Sequence, residues 1–152
     1  MKTTVDTGAL VAAVGDAMMV CDAQGLITLW NPAAERMFGH TEAEALGQSL
    51  DIIIPQRQQQ RHWDGYQQTM KTGVTKYGHD LLKVPALHKD GRTLSIAFTV
   101  ALIHGADGSV GGIAAVVRDE SARFTQDRET RKKIVELEAQ LLALQTPTNP
   151  KS

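Results

Sequence analysis

A strict alternation of large apolar side chains with mostly small or polar ones, from residue 93 to residue 103, constrains the fold most strongly. Successive side chains of a β-strand point to opposite faces of its sheet, so this run predicts a strand with one face against a core. Turn sequences flank it at residues 88–92 and 105–109, and residues 110–118 form another strand-like run. The apolar face of the 93–103 strand consists of Leu94, Ile96, Phe98, Val100 and Leu102.

Further strands are predicted on the N-terminal side of this run. Residues 7–14 form a short helical lead-in, and residues 18–22 and 26–30 are apolar strand-like runs. An Asp-Ala-Gln-Gly turn joins these two runs, which indicates a hairpin. Residues 76–87 are predicted as a further strand, and Pro85 places it at a sheet edge or a bulge because proline cannot donate a ladder hydrogen bond.

Residues typical of helix N-termini predict helices between these strands. Asn31 followed by Pro32 is typical of a helix N-terminus, and residues 41–44 have the spacing of a capping box. Pro55 disfavours helix for the residue before it and can itself occupy a first helical turn. We therefore predict a central helix from Pro55 to about Lys71.

The order of these elements predicts the fold class. Two strands, several short helices and three strands in a meander indicate an α+β fold, with one five-stranded antiparallel sheet and helices on one face. We predict a helical lead-in at residues 1–14, a domain at 15–120, a C-terminal helix at 121–145 and a disordered tail at 146–152. The C-terminal helix carries a short coiled-coil seam of apolar residues at three-four-three spacing, which are Ile134, Leu137, Leu141 and Leu144.

Composition and charge argue against several classes of function. The chain has 152 residues and a formal net charge of -1, which gives no electrostatic case for nucleic acid or an anionic membrane as a partner. Its single cysteine, Cys21, cannot form an internal disulfide, which favours a reducing compartment. The longest apolar run near the N-terminus, residues 9–14, is too short for a signal sequence or a membrane span. We therefore expect a soluble, cytoplasmic protein.

The sequence lacks the motifs of common catalytic sites. It contains no Gly-x-Ser-x-Gly, no His-Glu-x-x-His, no Cys-x-x-Cys and no phosphate-binding loop. We therefore expect a protein that is not an enzyme.

The central helix carries a column of side chains with potential chemistry. His62, Tyr66 and Met70 are four residues apart and therefore share one face of a helix. An imidazole on such a face can close over a pocket and coordinate a group inside it. His62 is therefore the candidate ligand of this chain.

Five short motifs together resemble the PAS family of sensor domains. They are Asp-Ala-Gln-Gly-Leu-Ile at 22–27, Trp-Asn-Pro-Ala-Ala-Glu at 30–35, Phe-Gly-His at 38–40, Lys-Asp-Gly at 89–91 and Val-Arg-Asp at 117–119. The resemblance covers roughly residues 12–120. It implies a five-stranded sheet with a helical wall, which senses through a cofactor or mediates dimerisation.

A narrower resemblance lies in the central stretch, which is similar to the haem-binding PAS domains of the FixL type. It rests on Ile-Pro at 54–55, Arg-His at 61–62, Thr-Gly at 72–73 and Lys-Asp-Gly at 89–91. It implies haem b in the pocket, with His62 as the axial ligand of the iron. The side chains expected around the cofactor are His62, Tyr66, Met70, Tyr77, Leu82, Phe98, Val100, Ile113 and Ala115.

The chain departs from the FixL pattern at the position of an arginine that hydrogen-bonds bound oxygen. Leu82 occupies that position, so Leu82, Phe98 and Val100 would form an apolar wall without a donor. The resemblance then implies a preference for carbon monoxide or nitric oxide over oxygen, or a redox-active iron. The tyrosine is also one place off, at Tyr66, with Gly65 where the family has an aromatic residue.

These observations leave more than one function open. The first hypothesis is a haem sensor that relays the gas-ligand or redox state through residues 117–119 to the C-terminal helix and an unidentified signalling partner. It would be a homodimer through its N- and C-terminal helices. The alternative is a cofactor-free dimerisation or interaction module whose pocket is filled by its own side chains. A non-covalent flavin, served by Trp63 and the glutamines at 58–60, ranks below haem, and the light-sensing flavin class fails because residues 47–51 contain no cysteine.

Overall fold

The computed structural model describes residues 3–145 of the chain. The chain divides after Asp119 into two compact units. The first unit contains a sheet and several helices, and the second contains one long helix. The tail predicted at residues 146–152 lies outside the described residues.

The first unit is built on a five-stranded sheet with the strand order β2-β1-β5-β4-β3. Every neighbouring pair is antiparallel, which confirms the α+β fold predicted from the sequence. The last three strands form the predicted meander, and β5 then pairs with β1 of the N-terminal hairpin. The strands are β1 (Ala17–Asp22), β2 (Ile27–Trp30), β3 (Leu82–Leu87), β4 (Thr93–His104) and β5 (Val110–Asp119).

Two helices begin at the predicted signals. Asn31 Oδ1 accepts a hydrogen bond from the Ala34 N–H, and Thr41 and Glu44 form both bonds of the capping box. Gly73 ends the central helix with φ of +70°, a left-handed conformation that glycine adopts without strain. The helices are α1 (Thr7–Ala13), α2 (Pro32–Phe38), α3 (Glu42–Ala45), a 3₁₀ helix (Leu50–Ile53), α4 (Gln56–Thr72) and α5 (Ser121–Gln145).

The core lies between one face of the sheet and the helices α2, α3 and α4. Trp30 and Phe38 are fully buried, and their ring centroids are 5.5 Å apart. The Trp30 indole N–H donates to the His40 carbonyl oxygen at 2.9 Å, so the buried ring leaves no unpaired donor. Ala17, Met19 and Cys21 of β1 are buried on the same face of the sheet.

The prediction of a strand over residues 76–87 is wrong in its first half, because β3 begins only at Leu82. Residues 76–79 form a turn in which Gly78 has φ of +57° and the Asp80 N–H donates to the Tyr77 carbonyl. The left-handed glycine interrupts the extended backbone that a strand requires. Pro85 lies on the edge strand β3, the kind of position where a residue without a backbone N–H is tolerated.

The second unit is the single helix α5, which has 25 residues and no buried residue. The four seam residues are exposed, from 48% for Ile134 to 84% for Leu144. Within residues 3–145, no helix combines the length and the apolar character that crossing a membrane requires.

Asn31 links three segments of the first unit. Its side-chain oxygen accepts from the N–H groups of Met18 and Ala34 at 2.8 and 3.0 Å, and its amide nitrogen donates to the carbonyls of Val11 and Asp16 at 3.0 and 3.1 Å. The residue is only 3% exposed. Since a buried polar group without a partner costs free energy, these four bonds stabilise the junction of α1, β1 and α2.

We predict that Asn31→Ala lowers the free energy of unfolding by about 3 kcal/mol, because it leaves several buried backbone groups unpaired. Asn31→Asp keeps the acceptor and loses both donors, so it should fall between Asn31→Ala and the wild type. The exposed Thr28 makes one bond to the Val20 carbonyl, so Thr28→Ala should cost about 1 kcal/mol or less. Urea unfolding measures all three, and equal losses for Asn31→Ala and Thr28→Ala would contradict the role of Asn31.

Candidate functional site

Two side chains fix α4 against neighbouring elements. The Trp63 indole N–H donates to Asp51 Oδ1 at 2.6 Å, and the Tyr66 hydroxyl donates to the carbonyl oxygen of Asp22. Asp51 lies in the 3₁₀ helix and Asp22 is the last residue of β1. The two bonds therefore determine which face of α4 points towards the sheet.

Trp63 also covers the turn between β1 and β2. A Cβ atom on Gly25 would lie 2.3 Å from carbons of the Trp63 ring, and Gly25 has φ of +80°. A side chain at this position would therefore both clash and strain the backbone. Gly25 is required here because the indole packs directly on the turn.

The structure brings together the three residues that the sequence places four apart on α4. Tyr66 is 8% exposed, Met70 is half-buried against the core, and His62 is half-buried. The His62 ring centroid lies 4.6 Å from that of Trp63, edge-on, and 5.9 Å from that of Tyr66. The imidazole therefore lies on the core-facing side of α4, beside two aromatic rings.

His62 has a nitrogen that lacks a partner. Nδ1 is buried and makes no hydrogen bond to any described residue. Burial lowers the pKa of His62 because it disfavours the charged ring, and the Asp51 carboxylate partly opposes this shift. The ring is therefore neutral at neutral pH, and leaving Nδ1 unpaired costs about 1–3 kcal/mol.

The donor set around His62 is a single imidazole. Within residues 3–145, no group of three or more His, Cys, Asp or Glu side chains is placed to hold a metal ion. A bare metal ion needs several protein ligands, whereas a haem iron brings four nitrogens of its own and needs only an axial ligand. The geometry is therefore compatible with an already chelated metal and not with a bare one.

The sheet offers an apolar wall on the same side as α4. Along β4, Leu94 and Ile96 are 4% and 5% exposed, whereas Phe98 and Val100 on the same face are only half-buried. The side chains on the inner face of β4 therefore become more exposed towards the hairpin that joins β4 to β5. Cross-strand pairs extend this wall to the neighbouring strands: Leu82 with Phe98, Val100 with Ala115, and Leu102 with Ile113.

Several of these wall residues pack in one cluster with α4. Phe98, Ile113 and Ala115 contact the same buried core as Tyr66 and Met70. Tyr77 does not join them, because it lies in the turn before β3 and is 42% exposed. Its place beside a cofactor, which the resemblance implies, stays a prediction.

Sequence reasoning missed two residues of this site. The side chain of Asp51 holds Trp63 and acts electrostatically on His62, and no local pattern identifies a contact across 12 residues. Gln58 Oε1 is buried without a partner among the described residues, as is His62 Nδ1. Gln58 lies four residues before His62, so helical spacing could have identified it.

Two further features lie apart from this group. A cavity of about 320 Å³ opens between α1, β2 and α2, and none of the expected site residues lines it. The thiol of Cys21 is buried in β1, where burial raises its pKa to about 12. A protonated, buried thiol is a structural group and not a nucleophile.

We predict that His62 makes the stability of the cofactor-free protein depend on pH. Its pKa in the folded state lies below the value of about 6.5 in the unfolded chain, so the unfolded state binds the proton more readily. The free energy of unfolding should therefore fall as the pH drops below about 6.5. His40, whose pKa is also lowered by burial, contributes in the same direction.

Urea unfolding as a function of pH measures this contribution. His62→Gln should reduce the slope. A slope that is identical in the wild type and in His62→Gln would show that the imidazole titrates as it does in water.

Comparison with known proteins places the chain in a family. The protein family described as "PAS fold" matches residues 6–119 of this chain. The sensor protein FixL of Bradyrhizobium diazoefficiens is 29% identical over 134 residues, which cover 88% of this chain and 25% of that protein. The oxygen sensor protein DosP of Escherichia coli is 27% identical over 109 residues, which cover 72% of this chain and 13% of that protein. The chain thus spans a quarter or less of these two relatives.

Solved structures show the same fold. The PAS domain of a protein from Colwellia psychrerythraea superimposes with a TM-score of 0.67 at 23% identity, covering 76% of this chain and 95% of that one. An RNA-binding Light-Oxygen-Voltage receptor gives a TM-score of 0.66 at 16% identity, covering 85% of this chain and 36% of that one. At these identities the likeness concerns the fold alone. With the five-stranded sheet and the match over residues 6–119, the chain belongs to the PAS family of sensory domains.

Proposed function

We propose that this PAS domain is a sensor that binds haem b with His62 as the axial ligand. The observation that carries the proposal is the buried, unpaired Nδ1 of a neutral imidazole, on the face of α4 that looks towards a partly covered apolar wall. The similarity to the sensor protein FixL and the oxygen sensor protein DosP supports the same reading.

Three groups of residues would have different roles at this site. His62 would supply the axial nitrogen, while Tyr66 and Trp63 hold α4 in place through their hydrogen bonds. Apolar side chains would exclude water from the faces of the porphyrin. When bound, haem supplies reversible gas binding and one-electron chemistry. The apolar side chains are Met70, Leu82, Phe98, Val100, Ile113 and Ala115.

The apolar wall would also influence which gas ligand the haem iron binds. Leu82, Phe98 and Val100 have no hydrogen-bond donor, and the polarity of the distal pocket decides which diatomic ligand is favoured. An apolar pocket gives no hydrogen bond to oxygen, so carbon monoxide or nitric oxide would be preferred. A change of redox state is the other signal that this site would serve.

Strand β5 is the element that would carry the signal. It contributes Ile113 and Ala115 to the wall, and it ends at Asp119, two residues before α5 begins. Near that end Arg118 forms an ion pair with Asp16, with nitrogen–oxygen distances of 3.1 and 3.3 Å. A change at the cofactor would shift β5 and alter the start of α5, and the readout would be a partner protein or self-association.

A flavin fits this site less well. Trp63 and Gln59 already bond to Asp51 and to the Ile54 carbonyl, and Gln60 bonds to Asp64. These side chains would have to break existing hydrogen bonds to serve a flavin ring. We therefore rank a non-covalent flavin below haem.

We predict that the purified protein binds haem b on reconstitution and shows a Soret band that His62→Gly abolishes or shifts. The reason is the loss of the axial nitrogen. Adding imidazole to the His62→Gly protein should restore the wild-type spectrum, because the free ring can occupy the space left by the side chain. His104→Gly, at an exposed position, is the matched control and should retain the band. Identical spectra for His62→Gly and the wild type would assign the ligand elsewhere.

A second candidate function is a cofactor-free dimerisation module. It is favoured by the seam of α5, since Ile134, Leu137 and Leu141 are 48%, 50% and 58% exposed. Exposed apolar residues at heptad-like spacing are typical of a helix that pairs with a second copy. Because the seam spans less than two heptads, α1 would also contribute to such a homodimer.

We predict that Leu137→Lys combined with Leu141→Lys raises the dimer dissociation constant by at least about tenfold. Burying one leucine contributes about 1.5–3 kcal/mol, and a charge at the seam removes that contribution. Ala139→Lys combined with Ala143→Lys adds the same two charges on the opposite side of α5, at exposed positions, and should leave the constant nearly unchanged. Sedimentation equilibrium with and without haem measures this, and a dimer unaffected by the seam variants would exclude α5 as the interface.

A further inference from the structure

Asp51 carries a negative charge that no ion pair neutralises within residues 3–145. It lies in the 3₁₀ helix that precedes α4 and is half-buried. The hydrogen bond that its Oδ1 accepts comes from the Trp63 indole, an uncharged donor that leaves the charge of the carboxylate in place. Because burial reduces screening by water and salt, this charge acts more strongly on its surroundings than an exposed one.

The carboxylate is held in a fixed position beside the site. The Asp51 N–H donates to Ser49 Oγ at 3.2 Å, and the Asp51 carbonyl oxygen accepts from the Ile54 N–H at 3.1 Å. The Asp51 side chain accepts the Trp63 N–H at 2.6 Å, and the Trp63 ring centroid lies 4.6 Å from that of His62. The charge is therefore anchored to the aromatic ring that packs against the imidazole.

The charge acts on the imidazole in a defined direction. Burial lowers the pKa of His62, and the Asp51 carboxylate is the group that opposes this shift. A negative charge that favours positive charge on the ring also favours positive charge on a metal that the ring binds. Oxidised haem iron carries one positive charge more than reduced haem iron. The carboxylate would therefore stabilise the oxidised form more than the reduced form.

We infer that Asp51 tunes the metal bound to His62: its negative charge, anchored to Trp63, lowers the reduction potential of the iron and favours the oxidised form. This inference rests on the proposed haem function and adds the residue that sets the balance between its two redox states. Second-shell contacts and the polarity of the surroundings are the means by which a protein sets the potential of haem iron. A lower potential also favours redox state over gas binding as the signal, because carbon monoxide binds only reduced iron.

Asp64 of α4 provides a matched control for the charge of Asp51. It lies two residues after His62, is exposed, and accepts a hydrogen bond from Gln60 Nε2 at 2.9 Å. Water and salt screen an exposed charge. Asp51→Asn and Asp64→Asn each remove one negative charge and keep an amide oxygen as the acceptor. A difference between the two variants therefore reports the position of the charge.

The reduction potential of the haem-reconstituted protein tests the inference. In a spectroelectrochemical titration, one electron from the electrode converts each oxidised iron to reduced iron, and the absorption spectrum gives their ratio. At the potential that half-reduces the wild type, Asp51→Asn should raise the ratio of reduced to oxidised iron by roughly three- to tenfold. Asp64→Asn should leave the ratio nearly unchanged. Asp51→Glu keeps the charge and should remain closer to the wild type than to Asp51→Asn.

The haem-free protein shows whether the charge or the local structure has changed. The Trp63 indole N–H signal in ¹H–¹⁵N NMR spectra should keep its hydrogen-bonded position in Asp51→Asn, because the amide oxygen still accepts the bond. If Asp51→Asn folds poorly or loses this bond, Asp51→Gln and Asp51→Glu form a second pair of equal length that differs in charge. The ratio of reduced to oxidised iron should then be higher in Asp51→Gln than in Asp51→Glu.

Two results would overturn the inference while the proposed function stands. One is haem binding with the same ratio in the wild type and in the neutral variant, whether Asp51→Asn with its Trp63 bond intact or Asp51→Gln against Asp51→Glu. The other is an equal rise in Asp51→Asn and Asp64→Asn, which would show a general effect of net charge. If the wild type binds no haem, the proposed function fails and the inference fails with it.

Discussion

The hydrogen bond from the Tyr66 hydroxyl to the Asp22 carbonyl is the contact on which the site depends. It joins the middle of α4 to the end of β1, and burial raises the pKa of Tyr66, so the hydroxyl keeps its proton. One turn earlier, Trp63 bonds to Asp51 and covers Gly25. With these contacts made, α4 cannot rotate, and the ring of His62 is held on the side that faces the core.

The same arrangement connects the site to the rest of the domain through β5. This strand lies between β1 and β4, so it contacts both the hairpin that anchors α4 and the strand that carries Phe98 and Val100. Its inner face provides Ile113 and Ala115, and its last residue, Asp119, ends the first unit. A change beside the wall would therefore act on an element that is continuous with α5 along the chain. In the proposed function, the signal would pass from the cofactor to α5 along this continuous stretch of chain.

Local sequence signals predicted much of the fold. The alternation along β4, the cap at Asn31 and the capping box at residues 41–44 each describe interactions within a few residues, and the structure contains all of them. The start of β3 was missed because Gly78 adopts a left-handed turn that no apolar pattern marks. The pairing of Trp63 with Asp51 was missed because it depends on tertiary packing. The column of His62, Tyr66 and Met70 was predictable from helical spacing, whereas the unpaired state of Gln58 required side-chain positions.

His62 is proposed as the axial ligand of a haem bound beside β4 and β5. The most direct measurement is the absorption spectrum of the full chain as purified from cells grown with a haem precursor. We expect a Soret band with about one haem per chain and, after reduction, a shift of that band when carbon monoxide is added. A protein without visible absorption, or one with the absorption bands of a flavin, would contradict the account and leave a cofactor-free or flavin-binding PAS domain in its place.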